Sequence, residues 1–108
     1  MLVTDDDMSR VIEILSDEAG AAHRAAHEYL DALTKTVLAE LMQQSNESSS
    51  AAKETWARAQ PAFKEHLAKV GAQAKADYVH RQRVAAANAK LEIWRTQNAN
   101  ARSATSIR

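Results

Sequence analysis

Apolar residues return at every third or fourth position along most of this chain, the period of a helix buried along one face. Only Gly20, Gly71 and Pro61 can break such a pattern strongly, and β-branched residues are sparse. Thr4 followed by Asp7 predicts a helix start, with Asp5, Asp6 and Asp7 against the positive end of the dipole. Met8, Val11, Ile12 and Leu15 then share a stripe, and the helix ends or bends between Ser16 and Gly20. A second helix follows, with Ala22, Ala25, Ala26, Tyr29, Leu30, Leu33 and Val37 on one face. The polar run Ser45 to Ser50 reads as a loop, one of whose serines caps a short third helix containing Trp56. That helix stops near Gln60, because the residue before a proline avoids the helical region, while Pro61 suits the first turn of a fourth helix.

The pattern thus predicts an all-α fold of three to four helices: an antiparallel helical hairpin or bundle with a long C-terminal helix. The helices fall at about 5–17, 18–44, 50–60 and 61–98, in one domain covering 1–98, with 99–108 as a flexible basic tail. At ~1.5 Å per residue the last helix is longer than the second and overhangs it.

The last helix also changes its apolar face. Phe63, Leu67, Val70, Ala74 and Tyr78 form one stripe. Val84, Ala87, Leu91 and Trp94 form another, rotated by roughly 100°. The reading is that the first stripe packs inside the monomer and the second meets another subunit or ligand; ordinary supercoiling is the alternative, since 84, 87, 91 and 94 fit a heptad. Much of the apolar content is alanine, which buries little area per residue, so a homo-oligomer is expected.

Charge cancels overall but is sorted: residues 1–60 hold 11 acids and 5 bases, residues 61–108 hold 3 acids and 9 bases. Either the basic half serves an anionic partner or the halves attract each other. There is no cysteine, so disulfides and thiolate metal sites are excluded. No apolar run approaches the ~20 residues that span a bilayer. The N-terminal residues lack the basic and apolar regions of a signal peptide, so a soluble cytoplasmic protein without membrane association is the expectation.

Little here points to catalysis. His23, His27 and Asp31 have i, i+4, i+8 spacing, but no Glu follows the first His and Asp31 points away from the apolar face, so no metal is expected. His66 and His80 sit at the margin of a heptad seam. Glu13, Glu28, Glu40 and Glu47 show no acid–base spacing, and neither a glycine-rich phosphate loop nor a nucleophile motif occurs. The expectation is a non-enzyme without cofactors.

The basic half offers the better chemistry. Arg81, Arg95 and Arg102 recur at heptad spacing with Asn88 between them, and Arg83, Lys90 and Gln97 form a second row near Trp94. Cations in a row neutralise phosphates, an indole among them can stack on an unpaired base, and Gln97 and Asn98 offer amide donors and acceptors.

The segment from Val84 to Arg102, with its run Trp94-Arg95-Thr96-Gln97-Asn98-Ala99-Asn100, resembles a small family of uncharacterised phage and prophage helical proteins. Lys64-Glu65-His66-Leu67 after the proline resembles the same family. The resemblance implies a temperate-phage setting in a bacterial host cell, often beside single-strand annealing or other recombination genes. It directs attention to Trp94, Arg95, Gln97, Asn98 and Arg102.

The favoured expectation is therefore a non-enzymatic phage accessory protein of DNA metabolism, contacting single-stranded DNA or a DNA–protein complex. Its contacts are Arg81, Arg83, Lys90, Trp94, Arg95, Gln97, Asn98 and Arg102, and its oligomer interface is Val84, Ala87, Leu91 and Trp94. One alternative is a protein-binding module that inhibits a host or defence factor through acidic residues of the first half. Another is a structural, self-assembling protein whose oppositely charged halves meet across subunits.

Overall fold

The computed structural model describes residues 2–106, apart from the side chain of Ser106. The fold is all-α: α1 (Asp5–Ser16), α2 (Ala19–Gln43), α3 (Ser50–Arg58) and α4 (Pro61–Ser106), with no strand among the described residues. Residues 99–106, expected as a flexible tail, continue α4; the rest of that tail, 107–108, lies outside the described residues. Nothing in 99–106 breaks a helix: there is no Gly or Pro, and alanine is frequent. No described helix is long and apolar enough to cross a membrane.

The helix starts follow local chemistry. Thr4 and Asp7 form a capping box: the Asp7 N–H donates to Thr4 Oγ1 at 3.2 Å, and the Thr4 N–H donates to Asp7 Oδ2 at 3.0 Å. Val3 before the cap and Met8 in the first turn are both buried in one apolar cluster, the arrangement of a hydrophobic staple. Ser49 caps α3, accepting from the Ala52 N–H at 3.1 Å. The Gln60 carbonyl accepts from Phe63 and Lys64, so α4 begins as α3 ends.

Contacts divide the chain into two compact units: residues 21–78, and residues 1–20 together with 79–108. In the central unit, Leu41, Ala57 and Phe63 form the core, with Val37, Leu38, Met42 and Trp56 packed against it. Here α4 buries Phe63, His66 and Asp77, while Leu67 and Tyr78 are exposed. The stripe expected at Phe63, Leu67, Val70, Ala74 and Tyr78 is thus turned toward polar residues. On α2 the covered face is turned in part: Ala26, Leu30, Leu33 and Val37 of the expected stripe are half-buried beside His23, His27 and Thr34, whereas Ala22, Ala25 and Tyr29 are exposed. Hydrogen bonding supplies the reason. Buried His66 needs a partner, and Thr34 Oγ1 meets its Nε2 at 3.0 Å.

In the terminal unit, α1 lies antiparallel to the second half of α4: Val3 is at Gln97, Asp7 is near Lys90, and Gly20 is against His80. Val3, Met8, Val11 and Ala87 form the core, joined by Ile14, Leu91, Ile93 and Trp94. Val11 is fully buried. Val84, Ala87, Leu91 and Trp94 were expected to meet a second subunit. The partner that covers Ala87, Leu91 and Trp94 is instead α1 of the same chain, with Val84 half-buried on the same row. Charge helps to explain this. α1 carries Asp5, Asp6, Asp7 and Glu13 against Arg10, and residues 79–106 carry five bases against Glu92, so opposite charges meet within one chain.

Candidate nucleic-acid interface

The candidate surface belongs to the terminal unit and is organised by the heptad of α4. Val84, Ala87, Leu91, Trp94, Asn98, Ala101 and Thr105 follow one another at alternating three- and four-residue steps and form its seam. Arg81, Asn88, Arg95 and Arg102 flank this seam on one side; Arg83, Lys90 and Gln97 flank it on the other. Members of a row are seven residues apart, about 10.5 Å along the helix. The acidic α1 occupies the seam between these rows as far as Gln97.

A two-bond clasp marks the end of that cover. The Val3 N–H donates to Gln97 Oε1 at 2.7 Å, and Gln97 Nε2 donates to the Val3 carbonyl at 3.0 Å. One side-chain amide thereby satisfies both backbone groups of a buried residue, as a neighbouring strand would. Gln97, expected among the ligand contacts, is engaged within the chain. The sequence signal for this clasp was slight: Val3 could be read as a staple residue, but nothing in the pattern pairs it with Gln97.

The cations differ in availability. Lys90 is half-buried and faces Asp7. The Asp7 carboxyl is held below its ordinary value, first by the Thr4 N–H and then by the Thr4 hydroxyl; Lys90 and Arg10 add to this and desolvation opposes it. Arg95 pairs with Glu92 at 2.8 Å, but both side chains are well exposed, so the pair is weak and can exchange for another anion. Arg81, Arg83 and Arg102 are exposed.

Beyond the clasp, α4 runs on without cover from α1. Trp94 and Arg95, just before the clasp, and Asn98, Ala101, Arg102 and Thr105, beyond it, line an open concavity of about 730 Å³. Trp94 is half-buried: part of its indole joins the core cluster and it also lines this concavity. Five of the eight expected contacts thus divide into two groups. Trp94, Arg95, Asn98 and Arg102 come together, while Gln97 is consumed. Arg81, Arg83 and Lys90 lie further back along the two rows.

The other sequence candidates do not assemble. His23 and His27 are half-buried in the central unit while Asp31 is exposed, and among the described residues no group of three or more His, Asp or Glu side chains is placed to hold a metal ion. Thr34–His66 is a polar pair that the apolar pattern missed, because neither residue contributes to hydrophobic periodicity. Comparison with protein-family models, with curated proteins and with solved structures found no match.

Proposed function

We propose that this chain is a non-enzymatic accessory protein that binds single-stranded DNA through the uncovered end of α4. The observation that carries this reading is the open face of Trp94, Arg95, Asn98, Ala101, Arg102 and Thr105. Two guanidinium groups a heptad apart neutralise phosphates, a partly exposed indole next to the first accepts a base by stacking, and Asn98 and Thr105 offer hydrogen bonds. A duplex presents no unpaired base to the indole, which favours a single strand. The resemblance of residues 84–102 to phage and prophage proteins supports a setting in phage DNA recombination.

The test is fluorescence anisotropy with labelled oligo(dT), a duplex and a single-stranded RNA. With Arg95 and Arg102 as phosphate contacts, log affinity falls against log salt with a slope of about −1.4. Arg95→Glu combined with Arg102→Glu abolishes binding. In a Trp56→Phe background, bound oligo(dT) quenches the emission of Trp94. No binding at low salt ends this reading.

A second reading has its own support. The seam spacing continues through Asn98, Ala101 and Thr105 past the end of α1, and such spacing also suits a helix of a protein partner. That complex would survive nuclease treatment and would be insensitive to added oligo(dT).

A further inference from the structure

We infer that α1 is a displaceable acidic cover, competing with a polyanion for the same face of α4; the inference rests on the single-strand reading above. Four observations converge on it. First, α1 packs on the seam at Ala87, Leu91 and Trp94, so while it is docked this stretch of the face is covered and the concavity at the end of α4 stays open. Second, the cover is itself anionic: Asp5, Asp6, Asp7 and Glu13 outnumber Arg10, and Asp7 sits near Lys90. A nucleic acid reaching Lys90 must replace one negative partner with another, which is competition, not independent binding.

Third, the polar attachment is exchangeable. The Gln97 clasp consists of two hydrogen bonds to backbone groups that water can take over once Val3 leaves. Fourth, α1 has little to hold it apart from this contact. It is a 12-residue helix joined to α2 through Asp17 and Glu18. A helix of that length is marginal in water on its own. Its apolar residues are also divided, with Val11 buried and Ile12 and Leu15 exposed, so only part of its apolar surface secures it.

Displacement would uncover Leu91, the rest of Trp94 and Lys90 in line with Arg83, extending the two-row cationic face along α4. The apparent affinity of the closed protein is the intrinsic affinity scaled by the fraction of molecules with α1 released. Weakening the cover therefore tightens binding without adding a contact to the nucleic acid.

The experiment has three arms on the full chain. Hydrogen exchange is followed with and without saturating oligo(dT): residues 5–16 lose protection while residues 84–102 gain it. Two variants weaken the cover by different routes, Val11→Ala through its apolar anchor and Asp5→Asn with Asp6→Asn through its charge, the latter leaving the Thr4–Asp7 box in place. Both bind oligo(dT) at least about fivefold more tightly than the parent at low salt. If oligo(dT) binds but α1 keeps its protection and both variants match the parent, the cover is refuted and the single-strand reading stands. If neither the parent nor the variants bind oligo(dT) at low salt, both ideas fall.

Discussion

The two glycines of the chain permit a matched test of the terminal unit. Both lie inside helices and neither has a positive φ, so alanine fits the backbone at both. At Gly71, in the interior of α4, an added Cβ meets nothing within 4 Å. Gly71→Ala should therefore gain nearly the whole helix-propensity difference, about 1 kcal/mol. At Gly20 the same atom runs into the imidazole of His80, onto Nε2 and Cδ2. Forcing in that methyl costs about 1–3 kcal/mol of overpacking. Gly20 lies in the first turn of α2, where the propensity gain is smaller. Gly20→Ala should thus be destabilising by up to about 2 kcal/mol, leaving the two alanine variants about 1–3 kcal/mol apart. Urea denaturation followed by circular dichroism measures each. For a chain of this size, 1 kcal/mol corresponds to about 4–8 °C in Tm. Adding His80→Ala should turn Gly20→Ala from harmful to neutral or favourable, a coupling that a double-mutant cycle isolates. Equal stabilisation by both glycine substitutions, unchanged by removing His80, would refute the packing of α2's first turn against α4.

Three further outcomes follow from the terminal unit. Gln97→Leu leaves the buried Val3 N–H and carbonyl without their partner and should cost about 1–3 kcal/mol in urea denaturation, with faster exchange of the Val3 amide. Thr4→Ala removes the cap of α1 and should cost about 1 kcal/mol, most of which Thr4→Ser restores. Because the Asp7 carboxyl is held below its usual 3.8, its contribution is complete above that value and is lost as pH falls from there through the lowered folded-state value. The stability difference between parent and Asp7→Asn should accordingly be constant near neutrality and shrink below about pH 4; a difference that grows on acidification would contradict the box geometry.

Helix identity was legible because it depends on local chemistry. Thr4 with Asp7, a serine at the end of the 45–50 loop and Pro61 each mark a terminus through groups one turn away. The orientation of the helices was less legible. Apolar periodicity placed Leu67, Tyr78 and Tyr29 inward, yet all three are exposed, while His66 and Asp77 are buried. A polar residue can occupy a seam when its partner lies on another helix, and that partner cannot be seen from periodicity along one helix alone.

The same limit governed the candidate surface. From the sequence came the two basic rows of α4, the indole near their end and the opposite charges of the two halves, since each is fixed by residue order and helical pitch. What covers those rows was decided by tertiary structure. The apolar row at Ala87, Leu91 and Trp94 would accept any apolar helix, from this chain or another, and its spacing does not distinguish the two. The short connection from α1 to α2, the charge match and the pairing of Gln97 with Val3 across the unit select α1. The Val3–Gln97 pairing joins residues more than ninety positions apart, and a separation of that kind is resolved only when the chain has folded.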